Sequence, residues 1–99
     1  METKRIAIVD DHPLMRKGII ASLKKHKDLQ FVFEANNGEE LLDKYKPGIV
    51  DVILLDNKMP KMDGLDALKI IRTSDSKVKI IILTAFDDEE YIYEFIKAQ

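Results

Sequence analysis

Apolar residues are concentrated in four short runs along the chain, and amphipathic segments lie between and after these runs. The runs predict four β-strands, at Arg5–Val9, Leu29–Ala35, Ile49 or Val50 to Leu55, and Val78–Leu83. Strands that alternate with helical segments are typical of βαβ units in a parallel sheet. The third and fourth runs are apolar on both faces, as in strands that helices cover on both sides. The pattern therefore predicts an α/β fold.

Four helices are predicted, and each has a recognisable beginning. Pro13 is tolerated in the first turn of the first helix. Asn37 with Glu40 resembles a capping box for the second, which is expected to end at Pro47-Gly48. Asp63 can cap the third, and the acidic residues 87–90 favour the N-terminus of the fourth.

The spacing of the apolar residues also predicts which side chains face the core. In the first helix these are Leu14, Met15, Gly18, Ile19, Ser22 and Leu23. In the later helices they are Leu41, Leu42, Tyr45, Leu65, Ala67, Leu68, Ile71, Ile92 or Tyr91, Phe95 and Ile96. In the second strand, alternation predicts that Phe31, Phe33 and Ala35 share one face and that Val32 lies on the other.

Polar residues follow three of the predicted strands at the point where each strand ends. Asp10 and Asp11 follow the first strand, Asp56 the third and Thr84 the fourth. Taken singly, each could be a helix cap, a turn residue or a strand terminator. Ligands of open α/β sheets bind outside the carboxyl ends of the strands. We therefore expect the three carboxylates and the hydroxyl to meet at one edge of the sheet.

Such a cluster has a defined chemistry. Neighbouring carboxylates repel one another, so that one of them is protonated or a cation binds. Oxygen ligands with several waters favour Mg²⁺ over Ca²⁺, which needs more protein oxygens. A carboxylate oxygen can attack phosphorus as an aspartyl nucleophile, and a hydroxyl such as that of Thr84 can donate to a phosphoryl oxygen. The residues thus predict a magnesium site suited to phosphoryl transfer.

Composition excludes several other classes of protein. The 99 residues make one small domain, and 45% hydrophobic with 34% charged residues is typical of a globular protein. A net charge of −2 argues against binding nucleic acid through its phosphates. Without cysteine there is no disulfide or thiol chemistry, and two isolated histidines cannot build a zinc site. His12 and His26 are interpreted as a loop residue and a helix-end cation.

Three motifs carry a resemblance to a known family. The segments IVDDHP, VILLDNKMPKMDG and IIILTA occur in this order and resemble the receiver domain of bacterial response regulators. The segment DDHPLMRKGI resembles the corresponding segment of those regulators that carry a C-terminal LuxR-like helix-turn-helix domain. The resemblance implies a flavodoxin-like, doubly wound parallel sheet with the strand order 2-1-3-4.

The resemblance also implies roles for individual residues. Asp56 corresponds to the phosphate-accepting aspartate, and Asp10 and Asp11 to the acidic pair that binds Mg²⁺ together with Asp56. Lys58 would contribute its main-chain carbonyl to the metal, and Thr84 would be the switch hydroxyl. The expected phosphate donor is a sensor histidine kinase. Chemistry beyond self-directed phosphotransfer and autodephosphorylation is not expected, so that the chain is interpreted as a signalling domain and not as an enzyme.

In the family a fifth strand, which carries a lysine, and a fifth helix follow the region matched here. Residues 1–99 are therefore expected to be a receiver domain that is incomplete at its C-terminus. The fourth strand would then be a sheet edge, and a homodimer through the fourth strand and helix is expected. Contact with DNA is expected only through a C-terminal domain outside this chain. A cytoplasmic location is expected, since no signal peptide or membrane-spanning stretch is found.

The same residues are compatible with two other functions. The chain could be an interaction module that keeps the fold without being phosphorylated, which the absent lysine favours. It could also be a Mg²⁺-dependent aspartyl phosphohydrolase of the haloacid-dehalogenase type, although those enzymes carry an Asp-x-Asp pair and Asp10 and Asp11 are contiguous. A nucleotide-binding domain is disfavoured, because no glycine-rich loop follows the first strand.

Overall fold

The computed structural model describes residues 3–56, 63–83, 92–93 and 96–97. Strands and helices alternate along the chain, as predicted. In chain order they are β1 (Lys4–Val9), α1 (Pro13–Leu23), β2 (Leu29–Ala35), α2 (Gly38–Lys44), β3 (Val52–Asp56), α3 (Asp63–Ser74) and β4 (Lys79–Leu83). Residues 92, 93, 96 and 97 are helical and belong to the segment predicted as a fourth helix. Among the described helices, none has the length and apolar character needed to cross a membrane.

The strands form one parallel sheet in the order β2-β1-β3-β4, which confirms the predicted fold class and strand order. The central strand β3 is buried over its whole length, as expected for a strand with helices on both faces. Val9 is paired with Leu55, and Asp56 with Leu83. The carboxyl ends of β1, β3 and β4 therefore lie at the same edge of the sheet.

A separate hydrophobic core covers each face of the sheet. One core joins α2 and α3 to the sheet through Ala7, Val9, Ala35, Leu41, Tyr45, Val50, Ile53, Leu55, Ala67, Leu68, Ile71 and Val78. The other joins α1 and the last helical segment to the sheet through Ile6, Ile8, Ile20, Leu23, Leu29, Val52, Leu54, Ile81, Leu83, Ile92 and Ile96. Helices on both faces make the sheet doubly wound.

The predicted buried face of α1 is wrong in its first turns. Leu14 is 87% exposed and Met15 is 47% exposed, whereas Arg16, Ile20 and Leu23 are buried. The helix turns its Arg16 side inward because the guanidinium group finds carbonyl and carboxylate partners below it. A buried arginine with several partners is acceptable in a core, and apolar spacing alone does not reveal it.

The prediction for β2 is wrong for Phe31 and for Val32, because Val32 packs against the same core as Phe33. Ile6 is paired with Phe31 and the next residue, Ala7, with Phe33, so that one residue of β2 is passed over. This irregularity places Phe31 against the α1 core, whereas Phe33 packs against the α2–α3 core. A bulge of this kind shifts the alternation of side chains between the two faces.

The predicted cap of α2 is confirmed. The Asn37 side chain accepts a 2.9 Å hydrogen bond from the Glu40 backbone N–H. The Glu40 carboxylate reaches back to the Asn36 backbone N–H, one residue before the cap. The helix ends earlier than predicted, at Lys44, and Gly48 then adopts a φ of 86° in the connection to β3.

Candidate functional site

The structure brings together the carboxylates of Asp10, Asp11 and Asp56 at the carboxyl edge of the sheet. Asp56 is the last residue of β3, and Asp10 directly follows β1, its neighbour in the sheet. One donor atom from each of these aspartates and from His12 lies within 4.8 Å of the other three. This is the meeting of acidic groups that the strand ends predict.

Asp10 is completely buried, and its two carboxylate oxygens differ in their surroundings. Oδ1 accepts a 2.8 Å hydrogen bond from the His12 backbone N–H, whereas Oδ2 has no hydrogen-bond partner among the described residues. Burial raises the pKa of the Asp10 carboxyl; the His12 backbone N–H lowers it, and the nearby Asp56 carboxylate raises it. A bound cation would stabilise this buried carboxylate oxygen, because an unpaired buried charge is costly.

Asp56 is only 5% exposed, so that this second carboxylate is also held away from bulk water. Asp11, in contrast, is half-buried. The site thus has two buried carboxylates at its base and one at its solvent side.

His12 is a member of the cluster that the sequence-based interpretation did not anticipate. Its Nδ1 lies 2.9 Å from Asp11 Oδ1, 3.4 Å from Asp10 Oδ1 and 3.9 Å from Asp56 Oδ2. The imidazole thus lies against all three carboxylates instead of pointing away as an ordinary loop residue. In the sequence, only its position directly after Asp10 and Asp11 indicated that His12 belongs to this cluster.

Arg16 was also missed, and it supports the site from the inside of α1. Its guanidinium donates to the backbone carbonyl of Asp10 at 2.6 Å, to Asn36 Oδ1 at 2.7 Å and to Glu34 Oε1 at 2.8 Å. Arg16 and the charge of Lys17 hold the pKa of the Glu34 carboxyl below its usual range. The backbone at Asp10 is therefore fixed by a charged network that spans α1 and β2.

These residues fit a hard divalent cation. The aspartates supply oxygen donors, which Mg²⁺ prefers, and a buried Asp10 oxygen is available for it. Receiver domains typically bind Mg²⁺ at an acidic pocket of this kind. Lys58 and Thr84, the other two predicted members of the site, lie outside the described residues, as does the loop segment Met59-Pro60.

A family model for the response regulator receiver domain matches residues 6–99. The chain therefore belongs to the response regulator receiver domain family of two-component systems. The predicted family and its signalling class are confirmed. Receiver domains are signalling domains and not classical enzymes.

Individual relatives agree with this assignment. The uncharacterized transcriptional regulatory protein YxjL of Bacillus subtilis is 39% identical over 94 residues, which are 95% of this chain and 43% of YxjL. The chain thus spans less than half the length of that relative.

Solved structures show the same fold. The receiver domain of the putative response regulator NarL from Mycobacterium tuberculosis is 31% identical with a TM-score of 0.71, over 98% of this chain and 78% of that one. A chain in the complex of the P1 domain of CheA3 with CheY6 from R. sphaeroides is 38% identical with a TM-score of 0.71, over 83% of this chain and 64% of that one.

Proposed function

We propose that this receiver domain accepts a phosphoryl group on Asp56 from the phosphohistidine of a sensor histidine kinase, with Mg²⁺ held by Asp10, Asp11 and Asp56. One observation carries the proposal, the convergence of these three carboxylates at one edge of the sheet. The acceptor is the last residue of β3, a strand that is buried over its whole length and pairs with β1, which the acidic pair follows.

The transfer is a nucleophilic displacement at phosphorus. An Asp56 carboxylate oxygen forms a bond to phosphorus while the bond between phosphorus and the kinase imidazole breaks, and the imidazole keeps the electron pair. Hydrolysis of the acyl phosphate later restores the carboxylate and releases inorganic phosphate. Bound Mg²⁺ would supply charge neutralisation for the phosphoryl oxygens. Asp10 and Asp11 contribute negative charge next to Asp56, and this charge favours the binding of a cation there.

Two further residues complete the proposed site. The Lys58 main-chain carbonyl is proposed as a metal ligand, and the Thr84 hydroxyl as the switch that donates to the phosphoryl group. Movement of Thr84 toward the phosphate would shift the segment that follows β4. A local change of charge would thereby bias a two-state element.

The proposed partners follow from the relatives. A kinase partner is supported by the CheY6 structure, which contains the P1 domain of CheA3. An output in transcription is supported by the name of YxjL, with DNA contacted by a part of the protein outside this chain. The proposed location is the cytoplasm, where sensor kinases would present their phosphohistidine.

We also propose that two copies associate through β4. This strand is at one edge of the sheet in the described part of the chain, and its Ile82 is 40% exposed. Light scattering should show a dimer that Ile82→Lys converts to a monomer. Ile70→Lys on α3 is the matched control, because Ile70 is also exposed but lies on a helix. A monomeric unmodified chain, or dimers in both variants, would contradict this contact.

Phosphorylation is tested with acetyl phosphate and Mg²⁺. Intact mass measures the phosphoryl group that is gained. The gained phosphate should be acid-labile, as in an acyl phosphate, and not acid-stable, as in a phosphate ester of serine or threonine. The unmodified chain and the control Asp43→Asn, whose side chain is exposed on α2, should both gain one phosphoryl group. Asp56→Asn and samples treated with a chelator should gain none. Equal labelling of Asp56→Asn, or no labelling of the unmodified chain, would contradict the proposal.

A further inference from the structure

We propose that His12 is an additional ligand of the divalent-cation site, so that the site binds transition-metal cations such as Co²⁺, Ni²⁺ and Zn²⁺ more tightly than Mg²⁺. The inference rests on the proposed metal site at Asp10, Asp11 and Asp56. It concerns the selectivity of that site, and it assigns the selectivity to a single imidazole nitrogen.

The first support is geometric. Ligands that share an octahedral ion at about 2.1 Å are about 3.0 Å apart when adjacent and about 4.2 Å apart when opposite. His12 Nδ1 lies 2.9 Å from Asp11 Oδ1 and 3.9 Å from Asp56 Oδ2; its 3.4 Å separation from Asp10 is to Oδ1, the oxygen that accepts from the His12 backbone N–H. The separations from Asp11 and Asp56 lie in the range that common coordination requires. The imidazole therefore needs no large movement to join the carboxylates around one ion.

The second support comes from Asp10, whose side chain is completely buried. Its Oδ1 is occupied by the His12 backbone N–H, and its Oδ2 has no partner among the residues that the structure describes. The remaining oxygen is thus left to a cation. Because His12 itself occupies the other oxygen, its backbone orients Asp10 while its ring lies beside the same site.

The ring of His12 can adjust to an ion without loss of secondary structure. His12 is the N-cap residue of α1, but its side chain makes no capping hydrogen bond. The side chain is 56% exposed, so that the protein does not confine it on all sides. A small rotation would change its distance to the carboxylates and would leave the helix intact.

The type of donor atom determines which cations the site binds more tightly. Imidazole nitrogen is a good ligand for Zn²⁺, Ni²⁺ and other transition metals, whereas Mg²⁺ prefers oxygen. For a given site with nitrogen and oxygen donors, affinity rises from Mn²⁺ through Co²⁺ to Cu²⁺. His12 should therefore increase the affinity for Co²⁺ and Zn²⁺ and leave that for Mg²⁺ almost unchanged.

The test is calorimetric titration of the full chain with Mg²⁺ and with Co²⁺, together with the visible absorption spectrum of bound Co²⁺. His12→Ala removes the nitrogen donor, and His12→Asn replaces it with an amide oxygen and places a favourable residue at the N-cap of α1. Loss of the ligand should weaken Co²⁺ binding at least about tenfold and change Mg²⁺ binding less than about threefold. The absorption spectrum of bound Co²⁺ should change in both variants.

His26→Asn is the matched control, because it removes the other imidazole of the chain, which stacks on Tyr93. It should leave both affinities and the Co²⁺ spectrum unchanged. The inference is overturned if the unmodified chain shows no preference for Co²⁺, or if the two His12 variants weaken or strengthen both ions alike. Asp10→Asn separates the two proposals: if it keeps full affinity for Mg²⁺, the metal site itself is wrong, whatever His12 does.

Discussion

Three consecutive residues of the site differ sharply in their surroundings. Asp10 is completely buried, Asp11 is half-buried and the His12 side chain is more than half exposed. The Asp10 backbone N–H still bonds to the Ala35 carbonyl, so that this residue extends the sheet by one position. The chain then leaves the sheet for α1. A buried carboxylate and an exposed imidazole are thereby placed side by side, because the backbone changes direction between them.

Substitutions of Gly48 and Gly18 by alanine should change the free energy of unfolding in opposite directions, and each substitution is a control for the other. Gly48 has a φ of 86°, and a Cβ there would meet no atom within 4 Å, so that substitution adds backbone strain without a clash. Gly48→Ala should lower the free energy of unfolding by about 1–2 kcal/mol. A Cβ at Gly18 in α1 would also meet no atom within 4 Å, and Gly18→Ala should raise the free energy of unfolding by about 0.5–1 kcal/mol.

Urea unfolding of both variants measures these changes. Opposite signs are expected, although both substitutions add the same methyl group and neither makes a new contact within 4 Å. Equal effects would mean that the backbone conformation at Gly48 is not the left-handed one, or that α1 is not helical at Gly18.

At the scale of elements, a polar network joins α1 to the ends of β1 and β2 and to the start of α2. Arg16 of α1 contacts the Asp10 carbonyl, Glu34 of β2 and Asn36, and Asn36 in turn donates to the Glu40 carboxylate. The network surrounds the backbone on which the acidic site is built. Because Arg16 is 7% exposed, its hydrogen bonds are protected from water and are worth more than those of a surface pair.

Removal of Arg16 should therefore destabilise the protein. Arg16→Ala leaves the Asp10 carbonyl and the Glu34 carboxylate without their strongest donor, and should lower the free energy of unfolding by about 2–4 kcal/mol. Arg16→Lys should recover only part of this, because an ammonium cannot reproduce the planar fork of a guanidinium. Urea unfolding checks both variants.

Lys17 provides the matched control for Arg16. It is the next residue of α1 and approaches the same Glu34 carboxylate at 3.7 Å, but its side chain is 69% exposed. Lys17→Ala should change the free energy of unfolding by less than about 0.5 kcal/mol, as for an ordinary surface pair. A comparable loss in both variants would show that burial of Arg16 does not matter.

For the whole molecule, local patterns predicted the strands and helices well, because each depends on neighbouring residues, whereas the strand order came from the resemblance to receiver domains. The apolar run that ends in Asp56 marked a buried central strand, and Asn37 with Glu40 marked the start of α2. The inward turn of Arg16 could not be predicted in this way. It depends on partners 18 and 20 residues away.

The same distinction applies to the bulge in β2 and to His12. The side of the sheet on which Phe31 lies depends on its pairing with β1, which alternation along β2 does not contain. The proximity of His12 to the Asp56 carboxylate depends on β1 and β3 being neighbours. Sequence patterns thus indicated which strand ends carry the site, and pairing between distant segments determined its remaining members.

The last helical segment closes the α1 core and is held there by a polar contact. Ile92 and Ile96 are buried in that core. Asp28, in the connection between α1 and β2, accepts hydrogen bonds from Tyr93 at 2.9 Å and from Lys97 at 2.6 Å. The carboxylate of Asp28 is itself mostly shielded from solvent. The contact ties the end of the described chain to its first βα unit.

This contact predicts an acid-dependent loss of stability. Hydrogen bonds from Lys97 and Tyr93 hold the pKa of the Asp28 carboxyl below its ordinary value of 3.8. A carboxyl with a lowered pKa in the folded state stabilises the fold above its ordinary pKa, and this contribution disappears as the pH falls through the folded-state value. The melting temperature of the unmodified chain should therefore exceed that of Asp28→Asn by a constant amount above about pH 5, and the difference should shrink below about pH 4.

Thermal unfolding from neutral to acid pH, followed by circular dichroism, measures this difference. Lys97→Met keeps Asp28 but removes its strongest donor, so that its melting temperature should approach that of Asp28→Asn at neutral pH. Tyr93→Phe removes the weaker donor and should have a smaller effect of the same sign. If the difference between the unmodified chain and Asp28→Asn stayed constant down to strong acid, the carboxylate would not be the group that fastens the last helical segment to the α1–β2 connection.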